Sequence, residues 1–407
     1  MNDLSTPASR IAARVRRIKP SPSTAAADRA NGLRREGRSI VNLVVGEPDF
    51  DTPAPIRAAA AAAMEAGQTR YTPMAGTAEL RRAIVGKLER ENGLRYGMDE
   101  VIATSGAKSA IFTAFAATLG PGDEVIVPAP YWVSYPDMVL ACDGAPVTVA
   151  CPHEAGFKLA PAQLEAAITP RTRWLLINSP SNPTGATYTA DEYRALGDVL
   201  LRHPHVMVMT DDIYEHIRFD GRRTTHLLDA VPALRDRTVA VNGVSKTYAM
   251  TGWRIGYAAG PADLIEAMST FLSQSSGNAC SVSQAAAAAA LAGPQDFVAG
   301  SVAVYRQRRD AALAWINAIP GLNCRPPDGA FYLYVNCAGL IGRATASGRR
   351  LADDNEVVMF LLEQAGVAVV AGTAYGLSPF FRMSIATALE TLEEGCARIA
   401  AAVATLA

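Results

Sequence analysis

The most unusual chemical group in this 407-residue sequence is a lysine embedded among small and apolar residues. Lys246 follows Ser245 at the end of a predicted strand, and Arg254 comes eight positions later in a stretch rich in glycine and aromatic residues. Burial disfavours a charged ammonium group, so its pKa falls and the neutral amine can attack a carbonyl to form a Schiff base. The alternative for Lys246 is an ordinary loop lysine, whose aliphatic stem lies on apolar surface while its ammonium group reaches solvent.

Motifs that would support other chemistries are absent. The sequence contains no G-x-G-x-x-G, G-x-x-x-x-G-K-[ST], H-E-x-x-H or G-x-S-x-G, which argues against NAD-binding, P-loop, zinc-protease and α/β-hydrolase functions. The five histidines show no metal-ligand spacing beyond His203 and His205, and we interpret that pair as part of a solvated turn. We therefore expect no metal site.

Composition narrows the class of protein further. Apolar residues make up 49% of the chain, enough for a large buried core, and 38 basic residues against 39 acidic ones leave no surplus for nucleic-acid binding. The six cysteines form no C-x-x-C pair, which argues against a zinc ribbon or a disulfide framework. Polar residues interrupt the longest uncharged stretch, Ala267–Gln295, so we expect no membrane span. We expect a cytoplasmic protein, with an organelle transit peptide as the minor alternative.

Short apolar runs that are typical of buried strands alternate with helical runs through most of the chain. The predicted strands are Glu100–Thr104, Glu124–Pro128, Trp174–Asn178, Val206–Thr210 and Thr238–Asn242, and the predicted helices between them include Thr77–Glu91, Ala107–Leu119 and Ala190–Arg202. This alternation predicts an α/β domain with a mostly parallel sheet, in which chemistry is located outside the carboxyl ends of the strands.

The pattern changes after Pro320. A helix around Tyr305–Ala318 leads to three predicted strands, Ala330–Asn336, Gly366–Val370 and Phe380–Ile385, which are flanked by helices. We expect a smaller α+β domain here. The predicted division is an N-terminal segment 1–50 that belongs to the small domain, a large domain 51–310 and a small domain 311–407.

Eight segments, in order along the chain, resemble the motifs of the class I aminotransferases, which are fold-type I pyridoxal 5'-phosphate (PLP) enzymes. Ser245-Lys246 with Arg254 resembles the cofactor-lysine signature of this family. The other segments are Gly46–Phe50, Thr69–Pro73, Ser105–Lys108, Pro130–Pro136, Asn178–Gly185, Asp211–His216 and Phe381–Ser384. The resemblance covers nearly the whole chain. It implies a large PLP-binding domain with a mostly parallel seven-stranded sheet flanked by helices, plus a smaller α+β domain.

The resemblance implies a role toward the PLP ring for several matched residues. Lys246 would carry the cofactor as a Schiff base and then move protons during the reaction. Asp211 would keep the pyridine nitrogen protonated, so that the ring acts as an electron sink. Asn182 and Tyr214 would donate hydrogen bonds to the phenolic oxygen, and Trp132 would stack on the ring.

The cofactor's phosphate is an anion, and anions bind at helix N-termini and beside cationic side chains. By resemblance, the backbone at Gly106, Ala107 and Lys108 would form the phosphate site at the start of a helix. Ser245 and Arg254 would complete it.

The resemblance also implies how a substrate and a second subunit would take part. Arg382 would hold the substrate's α-carboxylate with two hydrogen bonds, and Gly46, Trp132 and Asn182 would lie around the same substrate. Tyr71 would reach the phosphate of the neighbouring subunit's cofactor, which implies a homodimer with shared active sites.

The identity of the amino acid substrate depends on the group that meets its side chain. One branch of the family supplies an arginine from the partner subunit for this purpose, but no Lys or Arg occurs between Ile255 and Tyr305. The branch of bacterial aspartate and prephenate aminotransferases uses a lysine in the phosphate motif and a hydroxyl near the N-terminus. Lys108 and Ser23 match those positions, although that branch commonly has Thr at the second. This favours a dicarboxylic substrate, and a role of Lys108 toward the phosphate alone is the alternative.

These inferences lead to the hypothesis of a PLP-dependent aminotransferase that moves the amino group of L-aspartate to 2-oxoglutarate by a ping-pong mechanism. Aminotransfer with aromatic, prephenate, arogenate or kynurenine substrates, and a C–S lyase on the same scaffold, are the alternatives within PLP enzymes. A non-catalytic PLP-fold regulator usually carries a DNA-binding helical module, and the residues before Gly46 are too few and too weakly basic to form one.

Overall fold

The computed structural model describes residues 10–407, so the first nine residues of the predicted segment 1–50 lie outside the described part of the chain. The strands are β1 (Val41–Asn42), β2 (Val101–Thr104), β3 (Glu124–Ala129), β4 (Ala145–Ala150), β5 (Thr172–Asn178), β6 (Met207–Asp211), β7 (Thr238–Gly243), β8 (Gly256–Ala259), β9 (Tyr332–Asn336), β10 (Val367–Ala368), β11 (Val370–Ala371) and β12 (Phe380–Ser384). The helices are α1 (Ala13–Arg17), α2 (Pro22–Arg35), α3 (Ala54–Glu65), α4 (Ala78–Asn92), α5 (Ala107–Thr118), α6 (Tyr135–Ala141), α7 (Pro161–Ala167), α8 (Ala190–Arg202), α9 (Leu227–Ala230), α10 (Ala262–Ser273), α11 (Ser281–Ala292), α12 (Asp296–Asn317), α13 (Asp354–Phe360) and α14 (Leu389–Val403).

Seven strands form the central sheet, in the order β2-β8-β7-β6-β5-β3-β4. Strand β8 runs antiparallel to both of its neighbours, and the other pairings are parallel. The predicted mostly parallel, seven-stranded sheet is therefore confirmed. Successive residues of each strand point to opposite faces of the sheet, and the strands carry apolar side chains on both faces. Helices cover both faces, because these apolar side chains must be shielded from water. In β5, Leu175 and Ile177 pack into one hydrophobic cluster, while Trp174 and Leu176 pack into another.

The direction of the strands determines where polar groups collect. Since β2 and β7 both run antiparallel to β8, and the remaining pairings are parallel, every strand of this sheet except β8 ends at the same edge. Asn178 and Asp211 are the last residues of β5 and β6. The loop from β7 leads to Lys246, and α5 begins three residues after β2 ends.

Two smaller sheets lie beyond the central one. Strands β9, β12 and β11 form an antiparallel sheet, and β1 pairs in parallel with β10. The segment predicted as one strand, Gly366–Val370, is thus two short strands in different sheets, because the chain crosses from one to the other at Val369. The division into domains at residues 50 and 310 stays a prediction, and residue 310 lies within α12.

Helix α12 begins at Asp296, nine residues before the predicted start at Tyr305. Gly300 and the β-branched Val298 and Val302 are weak helix formers, so the sequence pattern did not indicate a helix there. Val298 and Val302 pack against two different hydrophobic clusters, and this tertiary packing extends the helix.

Within residues 10–407, no single helix is both long enough and apolar enough to span a membrane. Helices α11 and α12 together have the required length and hydropathy, but they are bent by 82° relative to each other.

A buried ion pair ties α4 to the loop that follows β6. The ammonium group of Lys87 has no exposed surface and contacts the carboxylate of Glu215. Asn92 and Asn242 donate further hydrogen bonds to that carboxylate, at 2.9 and 2.6 Å. Burial alone would raise the pKa of Glu215, but Lys87 and the other donors lower it to about 2. Glu215 therefore stays ionised, and it fixes the loop that carries the preceding Tyr214.

Replacing Lys87 by Met is expected to lower the free energy of unfolding by about 3–5 kcal/mol, because the Glu215 carboxylate is left buried without its cation. Urea unfolding followed by circular dichroism measures this difference. The matched control is Arg95→Met, which removes an ion pair with Glu89 whose partners are 86% and 55% exposed, and it should cost less than about 1 kcal/mol. Equal losses in the two variants would contradict the structural role of the buried pair.

Candidate active site

A cavity of about 250 Å³ lies at the carboxyl edge of the central sheet. Its wall contains four cationic side chains, those of Lys108, Lys246, Arg254 and Arg382, and one carboxylate, that of Asp211. The structure brings together the following residues predicted for the site: Ser23, Gly46, Ala107, Lys108, Trp132, Asn182, Asp211, Tyr214, Ser245, Lys246, Arg254 and Arg382. The cavity therefore suits a ligand with more than one anionic group.

Two of the predicted residues do not line this cavity. Gly106 lies just behind the wall as the residue that precedes α5, with φ +92°, and a Cβ there would collide with the guanidinium group of Arg254. Tyr71 lies away from the cavity, and its side chain is 99% exposed. Within one chain, Tyr71 thus takes no part in the site.

Lys246 points into the cavity from the loop after β7. Its Nζ donates a hydrogen bond to the backbone oxygen of Gly46 at 2.5 Å. Burial lowers the pKa of this lysine to about 8, and the nearby guanidinium groups of Arg254 and Arg382 act in the same direction, against the opposing effect of Glu47. A larger fraction of this amine than of an ordinary lysine is therefore neutral near neutral pH, and the neutral form is the one that acts as a nucleophile or a base.

Asp211 places a buried carboxylate at the base of the cavity. Its Oδ2 accepts a hydrogen bond from the Tyr135 hydroxyl at 2.6 Å, and its Oδ1 accepts one from the backbone N–H of Ile213 at 3.3 Å. Burial raises the pKa of Asp211 to about 6 against these hydrogen bonds. Asp212 faces the other side of the sheet, where its Oδ2 lies 3.1 Å from Nε2 of His226.

The turn between β2 and α5 meets the start of β8 at very close range. A Cβ at Gly256 would collide with the backbone of Ala107, so only glycine allows this approach. Arg254, two residues earlier, adopts a left-handed backbone conformation with φ +55°, and its Nη1 donates to the backbone oxygen of Thr251 at 2.9 Å. Residues other than glycine that adopt the left-handed backbone conformation are often found at functional sites. Here that conformation directs a guanidinium group to the N-terminus of α5.

Lys108 lies in the first turn of α5 and faces the aromatic side of the cavity. Its Nζ lies 4.8 Å from the ring centroid of Trp132 and 3.3 Å from Oγ of Ser134. Burial and the nearby Arg254 lower its pKa. Ser23, near the start of α2, lines the same cavity.

Arg382 enters the cavity from β12, in the smaller antiparallel sheet. Its side chain is buried, with Nη1 donating to Oδ1 of Asn182 at 3.1 Å and Nη2 donating to the backbone oxygen of Val44 at 2.6 Å. Its guanidinium carbon lies 4.3 Å from the ring centroid of Tyr332. The Nε atom is buried and has no hydrogen-bond partner among residues 10–407. A buried donor without a partner is costly, so this arginine is suited to bind an anionic group.

Tyr135, Asn178 and Tyr332 also line the cavity, although sequence reasoning did not assign them to the site. The Tyr332 hydroxyl lies 2.8 Å from that of Tyr214, and burial raises the pKa of both tyrosines. Tyr135 lies inside the matched segment Pro130–Pro136, and Asn178 opens another matched segment. For these two, membership of a motif was the available signal, whereas Tyr332 had only its place in a predicted strand.

Comparison with known proteins identifies the family. The family model for class I and II aminotransferases matches residues 38–399. An aspartate/prephenate aminotransferase of Cereibacter sphaeroides is 54% identical, with 95% of this chain and 96% of that protein covered. An aspartate aminotransferase of Rhizobium meliloti is 52% identical, with 96% and 95% covered.

Solved structures agree with this result. The crystal structure of an aspartate aminotransferase from Rhizobium meliloti matches with a TM-score of 0.96 and 51% identity, covering 98% of this chain and all of that one. An aspartate aminotransferase from Thermus thermophilus, solved with maleate, matches with a TM-score of 0.90 and 41% identity, covering 96% and 99%. The resemblance inferred from the sequence motifs is thus confirmed, and the chain belongs to the class I and II aminotransferases, a family of PLP-dependent enzymes.

Proposed function

We propose that this protein binds PLP in the cavity at Lys246 and transfers the amino group of L-aspartate to 2-oxoglutarate by a ping-pong mechanism. One observation carries this proposal: three cationic side chains and one buried carboxylate surround Lys246, whose pKa is lowered to about 8. A phosphorylated cofactor and a dicarboxylic substrate bring anionic groups that match these cations.

The donor set of the cavity fits PLP. The N-terminus of α5 and the guanidinium group of Arg254 form a cradle that a Cβ at Gly106 would fill, as an anion site at a helix N-terminus requires. Asp211 supplies the one carboxylate that the described part of the chain contributes to the wall, and it suits a protonated ring nitrogen. Trp132 offers an aromatic face. We therefore assign the phosphate to the α5 cradle and the ring nitrogen to Asp211.

When it is bound, PLP supplies an electron sink that stabilises negative charge at the substrate's Cα. Lys246 would hold the cofactor and, once released, its Nζ would carry the proton from the substrate's Cα to the C4′ carbon of the cofactor in the first half-reaction, and in the opposite direction in the second. A pKa of about 8 suits both tasks near neutral pH. Tyr214, Asn182 and Asp211 hold the ring in one orientation, so the proton moves between fixed positions.

We place the substrate's α-carboxylate on Arg382 and its second carboxylate near Lys108. The unpartnered Nε of Arg382 provides a donor for the first group, and Lys108 lies on the same cavity wall as Ser23 and Trp132 for the second. The relatives named as aspartate aminotransferases, and the one solved with maleate, a dicarboxylate, support this choice. Prephenate is the second candidate, because the relative that is 54% identical is named for both substrates.

We also propose a homodimer with shared active sites. Tyr71 is fully exposed, yet neighbouring residues hold its segment in place: Gln284 of α11 donates to Oγ1 of Thr72 at 3.0 Å, and Ser281 donates to the backbone oxygen of Gln68 at 2.8 Å. A rigid loop that presents an exposed tyrosine is suited to contact a second copy of the chain.

L-aspartate added alone to the PLP-loaded protein is expected to convert the visible absorbance band of the cofactor to that of the pyridoxamine form, because the first half-reaction needs no keto acid. Absorbance spectroscopy measures the conversion, with L-phenylalanine at the same concentration as the comparison. Conversion by phenylalanine but not by aspartate would overturn the dicarboxylic assignment.

Lys108→Met is expected to lower kcat/KM for aspartate by about 10- to 100-fold, the loss expected when a charge-assisted hydrogen bond is removed. The value for phenylalanine should change less than about threefold. Lys158→Met, which removes a lysine that pairs with Glu192 outside the cavity, is the matched control and should leave both substrates unaffected. Equal losses for aspartate and phenylalanine would mean that Lys108 serves the cofactor's phosphate rather than the substrate.

Tyr71→Phe is expected to weaken PLP binding by about tenfold, since one hydrogen bond to a charged phosphate is lost. Titration of the PLP-free protein measures the affinity, and sedimentation equilibrium should give a dimer for both wild type and variant. A fully active monomer, or an unchanged PLP affinity, would contradict the shared site.

A further inference from the structure

Tyr135, at the start of α6, connects two of the residues assigned to the cofactor. Its hydroxyl donates to Oδ2 of Asp211 at 2.6 Å. Its ring packs edge-to-face on Trp132, with the centroids 5.2 Å apart and the planes at 84°. The side chain is 1% exposed, so neither contact is shared with solvent. Tyr135 thus touches both the carboxylate at the base of the cavity and the aromatic residue in its wall.

The hydroxyl of Tyr135 is the one side-chain donor that the Asp211 carboxylate has within the described residues. The other donor, the backbone N–H of Ile213, is 3.3 Å from Oδ1. Burial raises the pKa of Tyr135 well above its ordinary value, so the phenol keeps its proton and donates it. A short hydrogen bond to one carboxylate oxygen fixes the rotation of the group and leaves lone pairs of the other oxygen for a further partner.

We propose that Tyr135 is a positioning residue that holds the Asp211 carboxylate ionised and oriented toward the ring nitrogen of the cofactor. This inference rests on the proposed function, since it assigns Asp211 to the ring nitrogen of PLP. It extends that function to a residue that would not touch the reacting atoms and would act through Asp211 alone.

The groups around Asp211 support this role. Burial raises the pKa of Asp211 to about 6, and the carboxylate of Asp212 acts in the same direction. The Tyr135 hydroxyl and the ammonium group of Lys246 act against it, and the Tyr214 hydroxyl, also nearby, is neutral because burial raises its pKa. Without the Tyr135 hydroxyl, the pKa of Asp211 should rise further, so the carboxylate would take up a proton near neutral pH and lose its attraction for a protonated ring nitrogen.

The test compares PLP with 1-deaza-PLP, an analogue in which carbon replaces the ring nitrogen. Full-length wild type and Tyr135→Phe are freed of cofactor and titrated with each compound, and binding is followed by absorbance. The phenylalanine ring preserves the packing on Trp132 and removes the hydroxyl alone. The dissociation constant for PLP should rise about tenfold in the variant, as expected for one lost hydrogen bond to a buried charge. The constant for 1-deaza-PLP should change less than about twofold, because that analogue has no nitrogen for Asp211 to meet.

A matched control shows whether the loss of any buried tyrosine hydroxyl has the same effect. Tyr188 is also buried, and its hydroxyl accepts a hydrogen bond from the backbone N–H of Leu159 at 2.8 Å, away from Asp211. Tyr188→Phe should leave the affinity for both compounds unchanged. Asp211→Asn supplies a second variant: adding Tyr135→Phe to it should produce no further loss of PLP affinity, because the two residues act as one unit.

The outcomes separate this inference from the function on which it rests. Failure of the wild type to bind PLP would overturn the proposed function. Normal PLP binding by the wild type, with an equal affinity in Tyr135→Phe, would overturn the role of Tyr135 alone. Equal losses for PLP and 1-deaza-PLP would show that the Tyr135 hydroxyl does not act through the ring nitrogen, and would likewise overturn its role.

Discussion

The cavity depends on a constraint of the central sheet: six of its seven strands run in one direction and end at the same edge. Both faces of the sheet are covered by apolar packing, so polar groups at the strand ends have one place to collect. Asp211 ends β6, and Lys246 follows β7 in the neighbouring position. An acid and an amine that lie 35 positions apart in the sequence thereby meet in a single cavity.

Burial then gives these two groups their chemistry. The same low-dielectric surroundings lower the pKa of Lys246 to about 8 and raise that of Asp211 to about 6. Both shifts bring a group that is ordinarily fixed in one charge state closer to neutral pH. The four cations in the wall create a field that favours anionic ligands, and Arg382 contributes to it from a different sheet. A ligand held by Arg382 and Lys246 together would therefore bridge the two sheets.

Much of the fold was predictable because the central strands are continuous apolar runs. The predicted strand Trp174–Asn178 lies within β5, and Glu124–Pro128 lies within β3. Strand β4 gave no such signal, because it is an edge strand in which several residues are exposed. The early start of α12 was missed because tertiary packing, rather than helix propensity, extends that helix.

The site was predictable to the extent that its residues belong to local motifs. Twelve of the residues assigned by resemblance line the cavity, but a motif contains no information about partners that are distant in the sequence. The Tyr135–Asp211 hydrogen bond joins residues 76 positions apart, and the Tyr214–Tyr332 contact joins residues 118 apart. Only the folded chain brings these pairs together.

The proposed chemistry depends on Lys246 as the amine that holds the cofactor. The chain has five lysines, Lys19, Lys87, Lys108, Lys158 and Lys246, so the attachment point can be read directly. Borohydride reduction of the PLP-loaded protein, followed by peptide mass spectrometry, identifies the lysine that carries the cofactor. A phosphopyridoxyl group is expected on the peptide that contains Lys246 and on no other lysine peptide. A label on Lys108, or no stable label at all, would contradict it.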